Sequence, residues 1–278
     1  MKFFNYLCAL LLISPSVLAL PTDSRVPGGI AVIDLEGYKQ APSVMFNDQS
    51  VLVTRNNGTN DWQAWVGIPL KQALGQASIS VNGKPLTFTV NEFNYPEQRL
   101  TVKKKHVNPN NSQMERVRAE FKKMNKVYKS HTALSDLQNH SFEGMIWPLR
   151  GPQSSAFGLR RFFNDQERNP HSGVDIAAPT GTPITAPATG KVVLTGDFYF
   201  NGKSVFIDHG QGLISMLCHM SEISVSEGDI IQAGDQIGLV GATGRVTGPH
   251  LHWTVSLNNA RVKPNLLLKS TEPQQPDK

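Results

Sequence analysis

The segment Gly248-Pro249-His250-Leu251-His252-Trp253 decides how the rest of the chain is interpreted. On a β-strand, side chains alternate between the two faces with a period of two residues. His250 and His252 are therefore predicted to point to one side of a strand, and the apolar Leu251 to the opposite layer. Two imidazoles side by side on a strand are typical of a metal site, although this short pattern alone also fits two structural histidines.

A second segment, Pro170-His171-Ser172-Gly173-Val174-Asp175, supplies two more candidate ligands. Its glycine and the nearby Pro179 interrupt the run too often for a long helix, so we interpret it as a loop that enters a strand. His219 stands alone between the two segments, in Leu217-Cys218-His219-Met220-Ser221. Four of the eight histidines and one aspartate thus fall into three clusters, which we interpret as one metal site.

These five side chains are more than a single catalytic zinc ion requires. Such an ion typically takes three protein ligands, leaves one position for water, and lowers the pKa of that water to about 7. Two neutral imidazoles and one carboxylate would leave a net charge of about +1. The remaining side chains can then act as general acid or base, or stabilise an oxyanion. The sequence contains no His-Glu-x-x-His pattern, so histidines must carry the proton transfers.

Residues 147–268 resemble the lysostaphin/LytM-type zinc endopeptidases of bacterial cell walls. The matching stretches, in matching order, are Phe157-Gly158-Leu159-Arg160, His171-Ser172-Gly173-Val174-Asp175-Ile176, Ala186-Pro187-Ala188-Thr189-Gly190-Lys191-Val192, Ile207-Asp208-His209-Gly210, Cys218-His219-Met220-Ser221 and Thr247-Gly248-Pro249-His250-Leu251-His252-Trp253. The resemblance implies a LytM-like antiparallel β-sheet peptidase domain.

The resemblance also implies a role for each of the five residues. His171, Asp175 and His252 would bind Zn2+, whereas His219 and His250 would be the catalytic pair that orients water and stabilises the transition state. The chain departs from the family pattern at two positions, where Leu217 replaces a frequent tyrosine and Thr254 a frequent glutamate. Both departures concern substrate preference more than zinc binding.

The composition is that of a soluble globular protein, with 39% hydrophobic and 18% charged residues. Its 278 residues are enough for about two ordinary domains, and 23 glycines and 18 prolines favour turn-rich β structure. The formal net charge of +5 indicates an anionic partner such as a cell wall, a membrane surface or nucleic acid. Because the sequence lacks a basic helix with an RNA-binding motif, we do not expect nucleic acid to be the partner.

Residues 1–19 have the pattern of a secretory signal peptide. A positive start at Lys2 is followed by an apolar run from Tyr6 to Ile13, which is too short to span a bilayer, and by Val17-Leu18-Ala19, a small-residue cleavage site. An uncleaved anchor is the alternative. No later run is long and apolar enough for a transmembrane segment. Since wall-anchoring repeats are also missing, we expect a Gram-negative periplasm.

Cys218 would be the single cysteine of the mature chain, because Cys8 leaves with the signal peptide. Its neighbour His219 permits a Cys/His nucleophile as one interpretation. Adjacent residues of a strand face opposite sides, however, so Cys218 is expected to point into the sheet layer while His219 faces the cleft. We therefore favour a buried, inert thiol.

Residues 26–105 are predicted to form a small β-sandwich or barrel. Asn82-Gly83-Lys84-Pro85 indicates a hairpin and Asn56-Asn57-Gly58-Thr59 another turn. The predicted strands are Ile30–Leu35, Val51–Thr54, Trp62–Val66, Ile79–Val81, Leu86–Val90 and Arg99–Lys103. This domain could recognise substrate or the wall, cover the active site in a regulatory role, or act only as a spacer.

Residues 112–130 are predicted to form a linking helix, from about Gln113 to Lys129. Ser112 and Glu115 make a capping box. The apolar positions at helical spacing are Val117, Phe121, Met124, Val127 and Tyr128, and the opposite face is basic. That face is either solvated or contacts a polyanion. His131 and His140, in the polar linker that follows, are expected to be exposed.

Residues 142–268 are predicted to form the peptidase domain, with a polar loop from Phe163 to Pro170 beside the cleft and no helices. Its predicted strands are Pro183–Ala186, Lys191–Thr195, Ser204–Asp208, Ile214–Cys218, Gln236–Val240 and Leu251–Ser256. His209, just before Gly210, is interpreted as a turn residue. Residues 270–278 are polar and predicted to be disordered. The whole chain is thus predicted to be all-β with one or two linking helices.

The leading functional hypothesis is a secreted zinc metalloendopeptidase that hydrolyses peptidoglycan cross-links. The family resemblance implies that these join D-Ala to meso-diaminopimelate. The alternatives are a zinc amidase, a glycyl endopeptidase, and a non-catalytic wall-binding activator of other hydrolases. We also expect a regulatory protein partner. In addition we predict latency, in which the N-terminal domain and the basic helix cover the cleft. Residues 142–270 alone would then be more active than the mature chain.

Overall fold

The computed structural model describes residues 21–56, 59, 61–100, 111–133, 137 and 142–269, and these form mostly β-sheet with one α-helix. This confirms the predicted fold class. The predicted signal peptide, His140 and the predicted disordered tail lie outside the described residues. No helix within the described ranges is both long and apolar enough to cross a membrane.

The N-terminal part of the described chain is a β-sandwich. Its strands are β1 (Ile30–Leu35), β2 (Val44–Phe46), β3 (Gln49–Ser50), β4 (Leu52–Arg55), β5 (Trp62–Gly67), β6 (Gly75–Val81) and β7 (Lys84–Val90). One sheet has the order β1-β5-β4 and the other β3-β2-β6-β7. Side chains from both sheets, including Ile33, Val53, Ile79 and Phe88, share one apolar core, as in two sheets packed face to face.

The predicted hairpin joins β6 and β7. Val81 pairs with Lys84, so the turn consists of Asn82 and Gly83 alone. Both residues have positive φ, 48° and 81°, which is the requirement of a type I′ turn and explains the Asn-Gly sequence. Pro85, which the sequence places in the turn, instead belongs to β7, an edge strand of its sheet.

The last predicted strand of the sandwich, Arg99–Lys103, is wrong in its partner. Residues 101–103 lie outside the described residues, and the first two residues of the prediction belong to strand β8 (Glu97–Leu100). It pairs in parallel with β10 (Arg160–Phe163), in the C-terminal part of the chain. A short antiparallel strand, β11 (Gln166–Glu167), completes this three-stranded sheet. The predicted polar loop from Phe163 to Pro170 therefore begins as a hairpin.

The linking helix is α1 (Asn111–Tyr128). It begins at Asn111, two residues before the predicted Gln113, and the capping box of Ser112 and Glu115 remains a prediction. Val117, Met124 and Tyr128 are buried, as their spacing predicts, but Phe121 is 45% exposed at the edge of the apolar stripe. Met124 and Tyr128 pack on a sheet of the C-terminal part of the chain.

The C-terminal part is built on one large antiparallel sheet. Its remaining strands are β9 (Gln153–Ser155), β12 (Val174–Ala177), β13 (Pro183–Thr185), β14 (Gly190–Phe198), β15 (Gly202–Asp208), β16 (Leu213–Ile223), β17 (Ile230–Ile231), β18 (Gln236–Val240), β19 (His250–Leu257) and β20 (Ala260–Val262). The main path is β17-β14-β15-β16-β19-β12-β9, and β18 pairs with both β13 and β16. A 3-10 helix at Pro264–Leu267 follows, where no helix was expected.

The two faces of this sheet have different partners. Leu217, Trp253 and Val255 point into the main core, together with residues of the β-sandwich. Met216 and Cys218 alternate with Leu217 and lie on the other face, where α1 covers them. The covered face is also the one that carries the candidate ligands, because Cys218 is the register partner of His252.

The sandwich contacts the end of β19 that lies farthest from His250. Trp65 packs edge-on against Phe142 with ring centroids 5.9 Å apart. The buried Asn258 side chain accepts a hydrogen bond from the Gly67 N–H (2.6 Å) and donates one to the Gly67 carbonyl (3.0 Å). Strand β5 is therefore buried on both faces, which explains its nearly continuous apolar sequence.

Candidate metal centre

The candidate ligands come from two neighbouring strands and a loop. Asp175 on β12 is the direct register partner of His252 on β19, and His250 lies two residues earlier on the same face. His171 reaches the same point from the loop before β12, where its backbone N–H donates to the Leu159 carbonyl (3.0 Å). The structure thus brings His171, Asp175, His250 and His252 together, as strand alternation predicts.

Three of these side chains converge on one point. His171 Nε2 lies 3.0 Å from Asp175 Oδ1 and 3.0 Å from His252 Nδ1. The last two atoms are 2.7 Å apart. One carboxylate oxygen and two imidazole nitrogens at these separations form a group that could hold a metal ion, and N and O donors of this kind are suited to zinc.

The protonation state of His171 supports this interpretation. Its Nδ1 lies 2.8 Å from the Ala156 carbonyl, which can only accept a hydrogen bond, so Nδ1 carries the proton. In the neutral ring, Nε2 then directs a lone pair at Asp175 and His252. Lone pairs and a carboxylate facing one another repel, and a bound cation removes that repulsion. The residues present therefore fit a metal ion.

His219 joins the cluster through a β-bulge. Val205 pairs with Leu217 and Lys203 with Met220, so β16 has one residue more than β15 in this interval. His219 has a φ of 64°, and this left-handed residue turns its side chain to the same face as Cys218. The two residues were expected on opposite faces; the bulge overrides strand alternation here.

His219 and His250 lie side by side next to the three converging groups, with ring centroids 4.8 Å apart. His219 Nδ1 is 3.0 Å from the Thr243 carbonyl, and His250 Nδ1 is 2.9 Å from the Gly248 carbonyl. Both carbonyls fix the Nδ1–H tautomer and leave Nε2 as the second nitrogen. His250 Nε2 is 3.8 Å from Asp175 Oδ1.

Burial and neighbouring groups shift the pKa values of His219, Asp175 and His252. Burial, with the neighbouring His252 and His250, lowers the pKa of His219 to about 4, so this ring is neutral and can accept a proton. Burial alone would raise the pKa of Asp175, but the imidazoles of His171 and His252 beside it hold that pKa well below its usual range. Burial also lowers the pKa of His252.

Two further residues belong to the site and were not predicted as site residues. The Thr254 hydroxyl is 2.8 Å from His252 Nε2 and holds the ring from behind. An Arg161 terminal nitrogen lies 3.8 Å from Asp175 Oδ2 and donates to the Ser155 hydroxyl (2.8 Å). Alternation along β10 could have identified Arg161, had the strand been predicted there.

Two other expectations concern nearby residues. Cys218 is buried, and burial raises the pKa of its thiol far above the usual range; these observations agree with an inert thiol. His209 lies in the turn after β15, but it is more than a turn residue. Its buried ring donates from Nδ1 to the Thr189 carbonyl (2.8 Å) and accepts from the Ser215 hydroxyl at Nε2 (2.9 Å).

Comparison with known proteins gives two family matches. Residues 169–264 match peptidase family M23, and residues 23–92 match the peptidase family M23 N-terminal domain. The chain is also similar to the crystal structure of a Pseudomonas aeruginosa protein assigned to peptidase M23, with a TM-score of 0.73 and 39% identity. That similarity covers 88% of this chain and 95% of the other.

Two curated relatives match less than half of the chain. The DD-carboxypeptidase/endopeptidase Mpg of Neisseria meningitidis is 40% identical over 126 residues, or 45% of this chain. The peptidoglycan DD-endopeptidase ShyA of Vibrio cholerae is 39% identical over 126 residues, or 44% of this chain. In both cases the match spans 29% of the relative's own length. The two family matches, together with the near full-length similarity to the Pseudomonas structure, show that this chain belongs to peptidase family M23.

Proposed function

We propose that the protein is a zinc-dependent endopeptidase that hydrolyses peptide cross-links in bacterial peptidoglycan. The convergence of His171, Asp175 and His252, with all three ligand atoms within 3.0 Å of one another, is the observation that carries the proposal. Family membership supports a peptidase, and the names of the two curated relatives support this substrate class.

In this proposal His171, Asp175 and His252 hold Zn2+. The ion, when bound, supplies a Lewis acid that polarises a carbonyl and makes water acidic. The protein fixes the two imidazoles from behind: the Ala156 carbonyl holds His171 and the Thr254 hydroxyl holds His252. Such outer hydrogen bonds orient metal ligands and set their tautomers.

His219 and His250 perform the proton transfers. Each ring is anchored through Nδ1–H to a backbone carbonyl, so Nε2 is left to accept a proton from the attacking water. The protonated ring can then donate to the leaving amine or to the oxyanion of the tetrahedral intermediate. The low pKa of His219 keeps it in the accepting form before the reaction.

The proposal also covers the peptide bond that is cleaved and the cellular location of the protein. We propose cleavage between D-Ala and meso-diaminopimelate; the names of ShyA, a peptidoglycan DD-endopeptidase, and of Mpg, a DD-carboxypeptidase/endopeptidase, support this bond. Peptidoglycan lies outside the cytoplasm, and the signal-like sequence at residues 1–19 is consistent with export to a Gram-negative periplasm.

Digestion of purified peptidoglycan, with products identified by mass spectrometry, tests the proposal. Cross-linked dimers should disappear with the wild type, and a chelator should abolish the reaction. His250→Ala should lower kcat about 100-fold or more, in the range of general acid–base catalysis. His131→Ala removes an exposed histidine outside the site and serves as the matched control.

The products separate the alternatives. Release of whole stem peptides from the glycan would indicate an amidase, and cleavage restricted to glycine-rich bridges a glycyl endopeptidase. No product from the zinc-loaded wild type would overturn the proposal and favour a non-catalytic activator. Full activity of His250→Ala would refute the role given to that residue.

A further inference from the structure

A groove of about 450 Å³ lies between the two parts of the chain. Leu70, Lys71 and Tyr95 of the N-terminal part form one wall, and the segment 167–170 of the β10–β11 region forms the other. Gly158 lies between the walls. The groove therefore exists only when both parts of the chain are in place.

The groove ends at the backbone that positions His171. The Gly158 N–H donates a hydrogen bond to the His171 carbonyl (2.8 Å), and Pro170, which also lines the groove, directly precedes His171. The groove therefore lies beside the segment that carries the first candidate ligand, on the route that an extended peptide can take from the metal centre.

One wall of the groove is rigid and aromatic. The Tyr95 ring packs against Phe157, with centroids 6.1 Å apart, and lies directly over Gly158. Its hydroxyl donates to the Pro27 carbonyl (2.8 Å), so the hydroxyl is already engaged. Tyr95 therefore offers an apolar surface to a ligand, and recognition of polar groups falls to the charged residues.

Two positive charges of the groove have no carboxylate partner among the described residues. The Arg168 Nε–H is buried without a hydrogen-bond partner, and its terminal nitrogen donates only to the neutral Gln166 amide (3.0 Å). Lys71 is exposed on the opposite wall. Arg160 differs, because Glu97 (2.6 Å) and Glu167 (3.1 Å) neutralise it.

We propose that Lys71 and Arg168 bind a carboxylate group of the peptide that the metal centre cleaves, so that the N-terminal domain helps to set substrate specificity. The inference rests on the proposed function. A guanidinium group matches the geometry of a carboxylate, and the terminal nitrogens of Arg168, unlike those of Arg160, have no carboxylate partner among the described residues. The lysine supplies a second, mobile charge from the facing wall.

The test compares two soluble cross-linked peptides, one with free carboxylates and one with those groups amidated. Lys71→Gln and Arg168→Gln should each raise KM for the free-acid peptide about tenfold, the equivalent of one charged hydrogen bond, with kcat little changed. The wild type should prefer the free acid, and both variants should lose much of that preference. Lys84→Gln and Arg118→Gln are matched controls, since both residues are exposed outside the groove.

Binding of both peptides to the full chain in the presence of a chelator separates this inference from the proposed function. Tighter binding of the free acid, weakened in both groove variants, supports the groove even if no bond is cleaved, whereas the proposed function would then fail. Cleavage of both peptides with equal KM, unchanged in Lys71→Gln and Arg168→Gln, would overturn the groove proposal and leave the endopeptidase proposal intact.

Discussion

His219 shows how one residue can place a functional group at a cost in stability. Its left-handed backbone, with φ of 64°, costs a non-glycine residue about 1–2 kcal/mol. Strand pairing continues on both sides of His219: Leu217 pairs with Val205, and Met220 pairs with Lys203. Strain of this kind persists where the surrounding structure fixes it, and it is frequent at active sites. The bulge is what lets His219 stand beside His250.

Thr254 supports His252 and should influence metal affinity without being a ligand. Thr254→Val keeps the shape of the side chain but removes the hydroxyl 2.8 Å from His252 Nε2. Because outer-shell substitutions of this type typically cost 10–100-fold in metal affinity or activity, we expect zinc affinity to fall by about tenfold or more. Competition with a chromogenic chelator measures the dissociation constant.

The matched control for Thr254→Val is Thr87→Val, an exposed threonine on β7. It should bind zinc as the wild type does. Equal zinc affinities of all three proteins would show that the Thr254 hydroxyl does not support the ligand.

His209 should make stability depend on pH. Burial lowers the pKa of this histidine in the folded protein, although the nearby Asp208 opposes the shift. The unfolded chain therefore binds the proton first as the pH falls below about 6.5, and stability is lost with a slope of up to about 1.4 kcal/mol per pH unit down to the folded pKa. Above pH 6.5 this contribution is constant.

Urea unfolding at several pH values between 7.5 and 5 measures the slope. His209→Asn keeps an amide donor for the Thr189 carbonyl but cannot titrate. The free energy of unfolding should fall less steeply with decreasing pH in the variant than in the wild type. Parallel curves would mean that His209 titrates equally in the folded and unfolded states.

At the scale of elements, regular strands could be predicted from the sequence, whereas the β-bulge and the long-range strand pairing could not. Alternation placed His250 and His252 on one face, and Asn82-Gly83 marked a two-residue hairpin. The bulge at His219 depends on pairing with two neighbouring strands, which no local pattern reports. Strand β8 was assigned to the wrong sheet because its partner, β10, lies about 60 residues away in sequence, as the pairing of Arg160 with Glu97 shows.

The Tyr95 ring packs on Gly158, just before β10, and Gly158→Ala tests how much this contact contributes to stability. Gly158 has a φ of 81°, and a Cβ there would overlap the Tyr95 ring. The free energy of unfolding should therefore fall by more in this variant than an alanine at positive φ alone would cause, which is about 1–2 kcal/mol. The free energy of unfolding in urea is the measurement.

Gly181→Ala is the control for this effect, because Gly181 has a φ of 90° and no atom within 4 Å of an added Cβ. The penalty of Gly158→Ala should also shrink to the Gly181→Ala value when Tyr95 is replaced by alanine. A Gly158→Ala penalty that is the same with and without the Tyr95 ring would exclude this contact as its cause.

At the scale of the whole molecule, the two parts are joined on several sides of the candidate site. Helix α1 lies beside the site, on the same face of the sheet, and covers Met216 and Cys218. The sandwich packs at the far end of β19, and β8 returns along β10. The predicted latency remains a prediction, but residues 142–270 alone would expose the apolar surface under α1. Weakening one contact between the two parts is therefore a cleaner test of whether they unfold together than truncation of the chain is.

Asn258 is the residue at which the contact between the two parts can be weakened. Its buried amide makes two hydrogen bonds to the Gly67 backbone, so Asn258→Gly leaves a buried N–H and a carbonyl without their partner, at about 1–3 kcal/mol. Glycine tolerates the φ of 41° at this position.

Asn259→Gly is the matched control. Asn259 is the neighbouring turn residue, with a φ of 63°, and its replacement by glycine carries the same entropic cost without removing the bonds to Gly67. We expect calorimetry to show a lower and broader unfolding transition in Asn258→Gly alone, because the sandwich then unfolds less cooperatively with the β19 sheet. Equal transitions in both variants would mean that the amide does not couple the two parts.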